Sequence, residues 1–389
     1  MFKDNDFQLR HEDELMLSCA RTQVNEEIEK KIISLASMDL DWEYLINMVS
    51  RHRLRPLLYV NLNSICPKKV PEDVLESLKS YYMANVQKNL MLTGELVKII
   101  EILESNDIKA IPYKGPVLAS LAYGNIGLRQ FGDIDILIDE TDALKVKEIM
   151  ISEGYELYSN IIIDNAVYMK LVTEHQFISR NGVIIEIKWR FAGDFFSLAT
   201  DSSFLSENLN KLDLNCFQIC NFSSVNQLIV LCIHAGKHYW TRLSWICDIS
   251  EFIKSQNIDW EEALEKAEKL GTKRILLVSL FLAEDLFGLI LPDKIIQQYI
   301  IDSQIEKISL QIKKMIFLEK KAELSLFEKF FLDLKKRENL IYSIKDCYSE
   351  LTKPTQRDYN DIALPLFFFR IYVFIRPFLL IKRYRKDSI

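Results

Sequence analysis

The sequence predicts an α+β protein in which a mixed β-sheet core lies between two helical regions. Three observations lead to this fold class. Residues 10–105 carry apolar residues three and four positions apart, a spacing typical of amphipathic helices. Short β-like runs alternate with helical segments from about residue 108 to 190, and from about 205 onward the pattern is helical again. We therefore expect an N-terminal helical region at 1–95, an α/β core at 96–205 and a C-terminal helical domain at 206–389.

The composition is that of a folded globular protein. The 389 residues are 49% hydrophobic and 27% charged, which is too apolar for a disordered chain and sufficient to bury a sizeable core. The net charge of −6 argues against general nucleic-acid binding. Seven scattered cysteines form no CxxC pair, and the polar start lacks the apolar stretch of a signal peptide. We therefore expect a cytoplasmic protein with reduced thiols.

The predicted core begins with a β-like run, IKAIPY, that leads into Lys114 and Gly115. A short apolar helix follows, with Pro116 at its start and Gly124 at its end, the usual positions of these two residues. The start of a helix presents unpaired N–H groups and the positive end of the helix dipole, and glycine permits close approach. Lys114 and Gly115 are therefore predicted to bind phosphate. The alternative is a solvated lysine at a strand end.

The next β-like run, DIDILID, places two carboxylates in an otherwise apolar strand. Side chains alternate along a strand, so the three isoleucines point to a core while Asp133 and Asp135 share the other face, about 7 Å apart. Two such carboxylates repel unless a cation lies beside them, and oxygen ligands suit Mg²⁺. The alternative is that Asp133 caps the strand and Asp135 lies at an exposed edge.

A helix and a β-hairpin follow this strand. TDALKVKEIMISEG predicts a helix with Thr141 as its N-cap and Gly154 as its stop. The runs EHQFISR and VIIEIKWR then flank Asn181–Gly182, a strong signal for a tight hairpin turn.

The second hairpin strand adds a third acid to the predicted site. Its apolar residues alternate with Glu186, Lys188 and Arg190. A two-residue turn would pair Glu186 with Phe177 and Lys188 with His175. If this strand neighbours DIDILID, Glu186 completes a cluster of three carboxylates. The alternative is a surface face on which Glu186 pairs with Lys188.

The segment LIVLCIHAGKHYWTRLSWICDISEFIK predicts one helix or a broken pair of helices. His234 and His238 are four residues apart and share a helix face. Three roles stay open for them: a zinc pair, a buried pair with satisfied hydrogen bonds, or the wall of a cleft. In the last case Lys237, His238 or Arg242 would contact the bound ligand.

The stretch IALPLFFFRIYVFIRPFLLI, residues 362–381, is long enough to cross a membrane but contains Arg370 and Arg376. An arginine at the centre of an inserted helix costs about 2.5–3.5 kcal/mol. We therefore expect a buried helix or one lying on a membrane surface. The basic KRYRK that follows would support weak membrane-surface contact through residues 362–386.

The order of these motifs resembles the nucleotidyltransferase superfamily with the polymerase-beta-like fold. The sequence has KG, a short helix, Arg129, the DID strand and an acid on a later strand. It is most similar to the bacterial group labelled uncharacterised nucleotidyltransferases, which carries LKG, a tyrosine, an arginine and a DIDxLV-like strand. The resemblance spans most of the chain and includes the HAxKHxW segment at 234–240.

The resemblance implies a nucleotidyltransferase core and assigns roles to individual residues. Two Mg²⁺ ions and a nucleoside triphosphate, with ATP as the expected nucleotide, would serve transfer of a nucleoside monophosphate to a hydroxyl of a small molecule or peptide. The catalytic and metal-binding residues would be Asp133, Asp135 and Glu186. Gly115 matches the glycine of the phosphate-binding turn. The residues expected to bind the nucleotide are Lys114, Gly115, Arg129, Lys188, Lys237 and His238.

Two departures from the pattern support an alternative function. Lys114–Gly115 stands where the superfamily usually has Gly-Ser, and Lys188 stands where the group more often has histidine. The alternative is a binding or accessory protein, such as an antitoxin-like or biosynthetic partner, that keeps the fold without turnover. For Arg129 the alternative is a loop arginine that bridges to an acid.

Overall fold

A computed structural model describes residues 8–158, 165–190, 207–214, 217–318 and 326–387. The N-terminal part is helical, as predicted, because side-chain caps and apolar faces recur along it. Asn25 and Asp41, for example, accept hydrogen bonds from backbone N–H groups in the first turns of the helices that they precede. The helices are α1 (His11–Cys19), α2 (Glu26–Ala36), α3 (Trp42–Arg51), α4 (Arg55–Ile65) and α5 (Glu72–Glu104).

A five-stranded mixed sheet with its connecting helices follows, which agrees with the predicted α+β class. The strand order is β1-β2-β5-β4-β3, with β2 and β5 parallel and the other neighbours antiparallel. The elements are β1 (Ile111–Pro112), α6 (Gly115–Tyr123), β2 (Asp133–Leu137), α7 (Ala143–Ser152), β3 (Glu156–Leu157), α8 (Asn165–Leu171), β4 (Glu174–Ile178) and β5 (Ile184–Lys188).

The predicted register of the β4–β5 hairpin is wrong by one residue. Glu186 pairs with Gln176, and Lys188 pairs with Glu174. The turn holds three residues instead of two, because the Ser179 N–H donates to the Val183 carbonyl at 2.9 Å. Gly182 takes the left-handed conformation (φ +75°) that the last residue of such a turn requires.

The predicted N-cap of α7 is also wrong. Thr141 lies in a short 3₁₀ turn, Glu140–Asp142, where its N–H donates to Asp139 Oδ1 at 2.8 Å. Asp142 precedes the helix, which therefore starts one residue later than a threonine cap would allow. Gly154 follows the helix with φ +84°, as expected of a stop.

The C-terminal part is mainly helical but opens with an unpredicted hairpin. The five-residue strands β6 (Asn210–Leu214) and β7 (Phe217–Asn221) pair with each other. Their alternation is too short to stand out from the helical pattern that follows. The helices are α9 (Ser224–Lys237), α10 (Leu243–Ser255), α11 (Trp260–Lys269), α12 (Lys273–Phe287), α13 (Asp293–Ile301), α14 (Gln304–Ile316), α15 (Leu326–Lys335), α16 (Leu340–Thr352), α17 (Gln356–Asp361) and α18 (Tyr372–Asp387).

Helices α9 and α10 form the broken pair that the sequence permits. Tyr239 and Trp240 both have left-handed backbones, with φ of +55° and +49°, which is uncommon for bulky residues. The Trp240 N–H donates to the Ala235 carbonyl, and its indole N–H donates to Ser279 Oγ, each at 2.8 Å. These bonds hold the end of α9 in place.

Two apolar clusters organise the described residues. One joins α1–α5 to α9–α14 and reaches Leu332 in α15. The other lies under the sheet and includes Ile134, Ile136 and Ile138 together with apolar residues of β5, α5 and α7. The isoleucines of β2 are therefore buried as predicted. The opposite face of the sheet turns towards α9, where Gln227 Nε2 donates to the Tyr113 carbonyl at 2.8 Å.

The C-terminal stretch is a 3₁₀ helix, Leu366–Ile371, that runs into α18. Arg376 does not face a membrane, because its guanidinium is buried against Asp358 at 2.7 Å. The other side of this stretch exposes a stripe of large apolar side chains: Phe367, Ile371, Phe374, Phe378 and Ile381. Within the part of the chain that the structure describes, no helix combines the length and apolarity needed to cross a bilayer.

Candidate active site

A polar cleft of about 440 Å³ lies between the sheet and helices α9 and α10. Four acids approach it from the strands: Asp133, Asp135, Glu174 and Glu186. Six cationic side chains also line it: Arg53, Lys114, Arg129, Lys188, Lys237 and Arg242. The cleft thus combines oxygen ligands with an excess of positive charge, which suits a polyanionic ligand bound with a metal ion.

The three predicted carboxylates all line this cleft. Parallel pairing of β2 with β5 sets Asp135 directly beside Glu186. Asp133 lies two residues earlier on the same face of β2, half-buried, and has no ion pair with a described residue. Because side chains alternate along both strands, the pairing of β2 with β5 brings these carboxylates to one cleft. The sequence predicts the alternation but leaves open whether the two strands are neighbours.

Lys188 lies among these carboxylates. Its Nζ is 2.8 Å from Asp135 Oδ1, 2.7 Å from Glu186 Oε2 and 3.5 Å from Glu174 Oε2. Burial opposes the charge of this ammonium, but the Tyr113 hydroxyl and the carboxylates of Asp135 and Glu186 raise the pKa of Lys188. Lys188 therefore stays charged. The pairing of Glu186 with Lys188 is present, and Glu186 also lies beside Asp135 in the cleft.

The carboxylates of β2 have opposite pKa shifts. Burial opposes the ionisation of Asp135, yet Lys114 and Lys188 lower the pKa of Asp135 to about 2. Burial and the nearby charges of Asp135 and Glu186 raise the pKa of Asp133. An added cation would therefore favour the ionised form of Asp133.

The predicted phosphate turn lies at the end of β1, beside the carboxylates. Gly115 has φ +53°, and a Cβ at this position would lie 3.3 Å from the Asp133 carbonyl, so the turn requires glycine. The Lys114 side chain does not cap α6. Its Nζ lies 3.7 Å from Asp135 Oδ1 and 3.1 Å from His234 Nδ1, and burial lowers the pKa of Lys114.

Arg129 bridges to an acid and also lines the cleft. Its Nε and Nη2 each donate to Asp248 at 2.9 Å, and the Tyr123 hydroxyl donates to the same carboxylate at 2.7 Å. The third nitrogen, Nη1, is buried and makes no hydrogen bond within the described residues. Arg129 is thus held rigidly with one donor nitrogen left for a ligand.

The loop before Arg129 is fixed by two asparagines of α5 that sequence analysis missed. Asn85 Nδ2 donates to the Gly127 carbonyl at 2.9 Å, and Asn89 Nδ2 donates to the Arg129 carbonyl at 2.8 Å. Both amides are buried. The sequence signal that could have identified them is their position on the apolar face of a long helix, because a buried amide needs a hydrogen-bond partner.

His234 and His238 form part of the cleft wall instead of an isolated core pair. Their rings lie 4.8 Å apart and within 5.3 Å of the Trp245 ring, measured between centroids. Burial and the charge of Lys237 lower the pKa of His238 to about 4, so its ring is neutral at pH 7. The flat neutral rings could contact a nucleobase or an acceptor.

Three cations of the cleft have no ion pair with a described carboxylate: Arg53, Lys237 and Arg242. Arg53 was missed by sequence analysis, because it follows α3 and is far from the core motifs in sequence. It has φ +58°, a strained conformation for arginine. Glu174, Tyr113 and Trp245 also line the cleft without having been predicted to bind a ligand.

The donor set of the cleft suits a magnesium ion. The Asp133 and Asp135 carboxylates are the oxygen ligands that Mg²⁺ prefers, and they face the cleft. Among the described residues, no three Asp, Glu, His or Cys side chains converge closely enough to hold a metal by themselves. The residues therefore fit an ion that takes its remaining ligands from triphosphate oxygens and water.

Comparison with known proteins gives one family match. The model of a family described as "Uncharacterised nucleotidyltransferase" matches residues 38–288, more than half of the chain. This range starts just before α3 and ends just after α12, so it contains every cleft residue named above. No curated protein matches the chain.

Proposed function

We propose that this chain, which belongs to the uncharacterised nucleotidyltransferase family, transfers a nucleoside monophosphate from a nucleoside triphosphate to a hydroxyl group. The acceptor would be a small molecule or a peptide, since the net charge of −6 disfavours a general nucleic-acid substrate. The observation that carries the proposal is that Asp133, Asp135 and Glu186 line one cleft beside the Lys114–Gly115 turn.

The triphosphate would lie along the cationic side of the cleft. Gly115 lets a phosphate approach the N-terminus of α6, while Lys114 and the unpaired Nη1 of Arg129 offer donors nearby. Arg53, Lys237 and Arg242 would bind the phosphates further out. His238 and Trp245 are placed to contact the base or the acceptor.

In the reaction, the acceptor oxygen attacks the α-phosphorus and forms a new P–O bond. The bond from the α-phosphorus to the oxygen bridging the α- and β-phosphates breaks, pyrophosphate leaves with that electron pair, and the hydroxyl proton passes to solvent. Magnesium bound by Asp133 and Asp135, with Glu186 beside them, would neutralise phosphate charge and favour the acceptor alkoxide. Lys114 and Arg129 orient the phosphates and stabilise the charge that develops on pyrophosphate.

Thermal melting tests the proposal. ATP, GTP, CTP and UTP are compared with and without Mg²⁺, and at least one should raise the melting midpoint, because a ligand at 100 times its Kd adds about 2.7 kcal/mol of stability. Asp133→Asn and Asp135→Asn should lose the Mg²⁺-dependent part of this shift. Asp213→Asn, an exposed carboxylate on β6, should keep it.

Two results would contradict the proposal in different ways. The absence of a shift with any nucleotide would overturn it. A shift without pyrophosphate release, measured with a range of alcohols and peptides as acceptors, would favour the binding or accessory protein.

A second function is favoured by the exposed stripe of α18 and the turn before it. Phe374 and Phe378, four residues apart on α18, are each 74% exposed, and Phe367 in the turn before it is 88% exposed. The basic KRYRK follows in the sequence. We propose that this stripe makes weak contact with an anionic membrane surface.

The protein should sediment with phosphatidylglycerol liposomes more than with phosphatidylcholine liposomes. The double substitution Phe374→Ser, Phe378→Ser should abolish sedimentation, whereas Ile290→Ser, at a 93% exposed residue elsewhere, should not.

A further inference from the structure

The ammonium group of Lys188 takes the position at which the carboxylates of the cleft come together. It lies within 2.8 Å of both Asp135 and Glu186, the distances of charge-assisted hydrogen bonds. Glu174 adds a third carboxylate at 3.5 Å. The Lys188 side chain is 14% exposed, so its contacts are largely shielded from water.

The position of this ammonium is set by the sheet. Lys188 follows Glu186 by two residues on β5, so both side chains leave the same face. Its carbonyl accepts the Ile138 N–H at 2.8 Å, and its register partners are Leu137 on β2 and Glu174 on β4. The side chain can therefore reach back over the Asp135–Glu186 pair without moving the backbone.

The two oxygens of the Asp135 carboxylate have different surroundings. Tyr113, Lys114 and Lys188 all approach Asp135 most closely at Oδ1. Asp135 Oδ2 and the carboxylate of Asp133 have no hydrogen bond or ion pair with a described side chain, so they stay open to a metal ion. The position between Asp135 and Glu186, which a second ion would need, holds a positive charge already.

We propose that Lys188 supplies, from the protein itself, the charge that a second metal ion would supply between Asp135 and Glu186, so that this site uses one divalent ion. The family resemblance implies two ions. The inference rests on the proposed nucleotidyl transfer, and it assigns Lys188 a role as a fixed cation instead of a nucleotide-binding residue. The single ion would be held by Asp133, Asp135 and the triphosphate.

The experiment counts bound ions without relying on turnover. Mn²⁺ is titrated into the full chain in the presence of the non-hydrolysable analogue α,β-methylene-ATP, and free Mn²⁺ is followed by its electron paramagnetic resonance signal. The wild-type protein should bind about one Mn²⁺ per chain, and Lys188→Met, which keeps an unbranched side chain one atom shorter and without the charge, should bind about two. Lys313→Met breaks an ion pair with Asp285 (2.6 Å) outside the cleft and should bind about one.

Each outcome decides between the alternatives. Two ions in the wild-type complex would overturn the inference and leave the proposed function standing. A single ion in Lys188→Met, with circular dichroism showing the native fold, would also overturn it. Should that variant fail to fold, a wild-type count of two would still overturn the inference. No Mn²⁺ bound by any of these proteins would overturn the inference, while the melting experiment with ATP, GTP, CTP and UTP decides the proposed function separately.

Discussion

At the scale of single residues, the most constrained charge near the cleft is Arg129. Burial opposes its charge, but Asp248 more than offsets this cost and raises the pKa of Arg129. The carboxylate accepts two hydrogen bonds from the guanidinium and a third from Tyr123. A buried pair of this kind holds one side chain in a single orientation, and it depends on both partners being present.

Replacing Asp248 by asparagine should therefore destabilise the fold strongly. The buried guanidinium would lose its counter-charge, and removal of one member of such a pair costs about 3–5 kcal/mol. Urea denaturation at pH 7 measures the loss. Glu26→Gln, which breaks the exposed Lys30–Glu26 pair (2.5 Å), should cost only about 0.3–0.5 kcal/mol. Equal losses in the two variants would show that the Arg129–Asp248 pair adds nothing beyond a surface contact.

The sequence could predict residues whose role follows from strand alternation or from a helix start. Asp133 and Asp135 share a face because side chains alternate, and Gly115 marks a turn that admits no Cβ. The location of Lys188 between two carboxylates could not be predicted in this way, because it requires the parallel neighbour of β2 and the side-chain rotamer. Arg53 gave no local signal at all.

At the scale of elements, the end of α3 has an unusual residue. Arg53 occupies the left-handed position after the helix, which is normally taken by glycine. The Leu54 N–H donates to the Val49 carbonyl at 2.8 Å and the Arg53 N–H to the Ser50 carbonyl at 3.2 Å, which completes a Schellman motif. Asp107, after α5, has the same φ of +58° and the same pair of bonds but lies outside the cleft.

This pair of helix ends permits a matched test. Arg53→Gly and Asp107→Gly should each stabilise the fold by about 1 kcal/mol, because glycine relieves the left-handed strain. Arg53→Gly alone should weaken nucleotide binding, by about tenfold if one charged contact is lost. Urea denaturation and nucleotide titration measure the two effects. Unchanged affinity in Arg53→Gly would remove Arg53 from the phosphate-binding set.

The elements themselves were predicted better than their pairing. The strand at DIDILID, the Pro116 helix and the Asn-Gly hairpin follow from local chemistry, and all three are present. The hairpin register was missed because a three-residue turn and a two-residue turn contain the same Asn-Gly signal. The β6–β7 hairpin was missed because two five-residue strands carry too few alternations to outweigh a helical neighbourhood.

At the scale of the whole molecule, His52 links the N-terminal helices to α10 and α14. Its Nδ1 accepts the Leu243 N–H of α10, and its Nε2 contacts the Ile316 carbonyl at the end of α14, both at 3.2 Å. Both nitrogens are satisfied only when the ring is neutral. Burial, with a smaller effect of Arg51, lowers the pKa of His52 to about 3.

Lowering the pH should therefore destabilise the folded state through the protonation of His52. The unfolded chain has a histidine pKa of about 6.5, so between pH 6.5 and 3 it binds a proton that the folded chain does not. Stability falls as the pH drops through this window, by about 2 kcal/mol at pH 5 from this residue. Urea denaturation at pH 7 and pH 5 should show a smaller loss in His52→Gln than in the wild type. Equal losses would show that His52 does not contribute to the pH dependence.

The apolar cluster that joins α1–α5 to α9–α14 has a consequence for how the protein is made. The first helices leave the ribosome with apolar faces, such as the side of α1 that packs against α12, whose partners are encoded about 250 residues later. These faces stay unpaired while the sheet and its hairpins are translated, and exposed apolar surface in a nascent chain favours aggregation. Holding chaperones should therefore bind the emerging chain at its first four helices and leave it when α12–α14 have been synthesised.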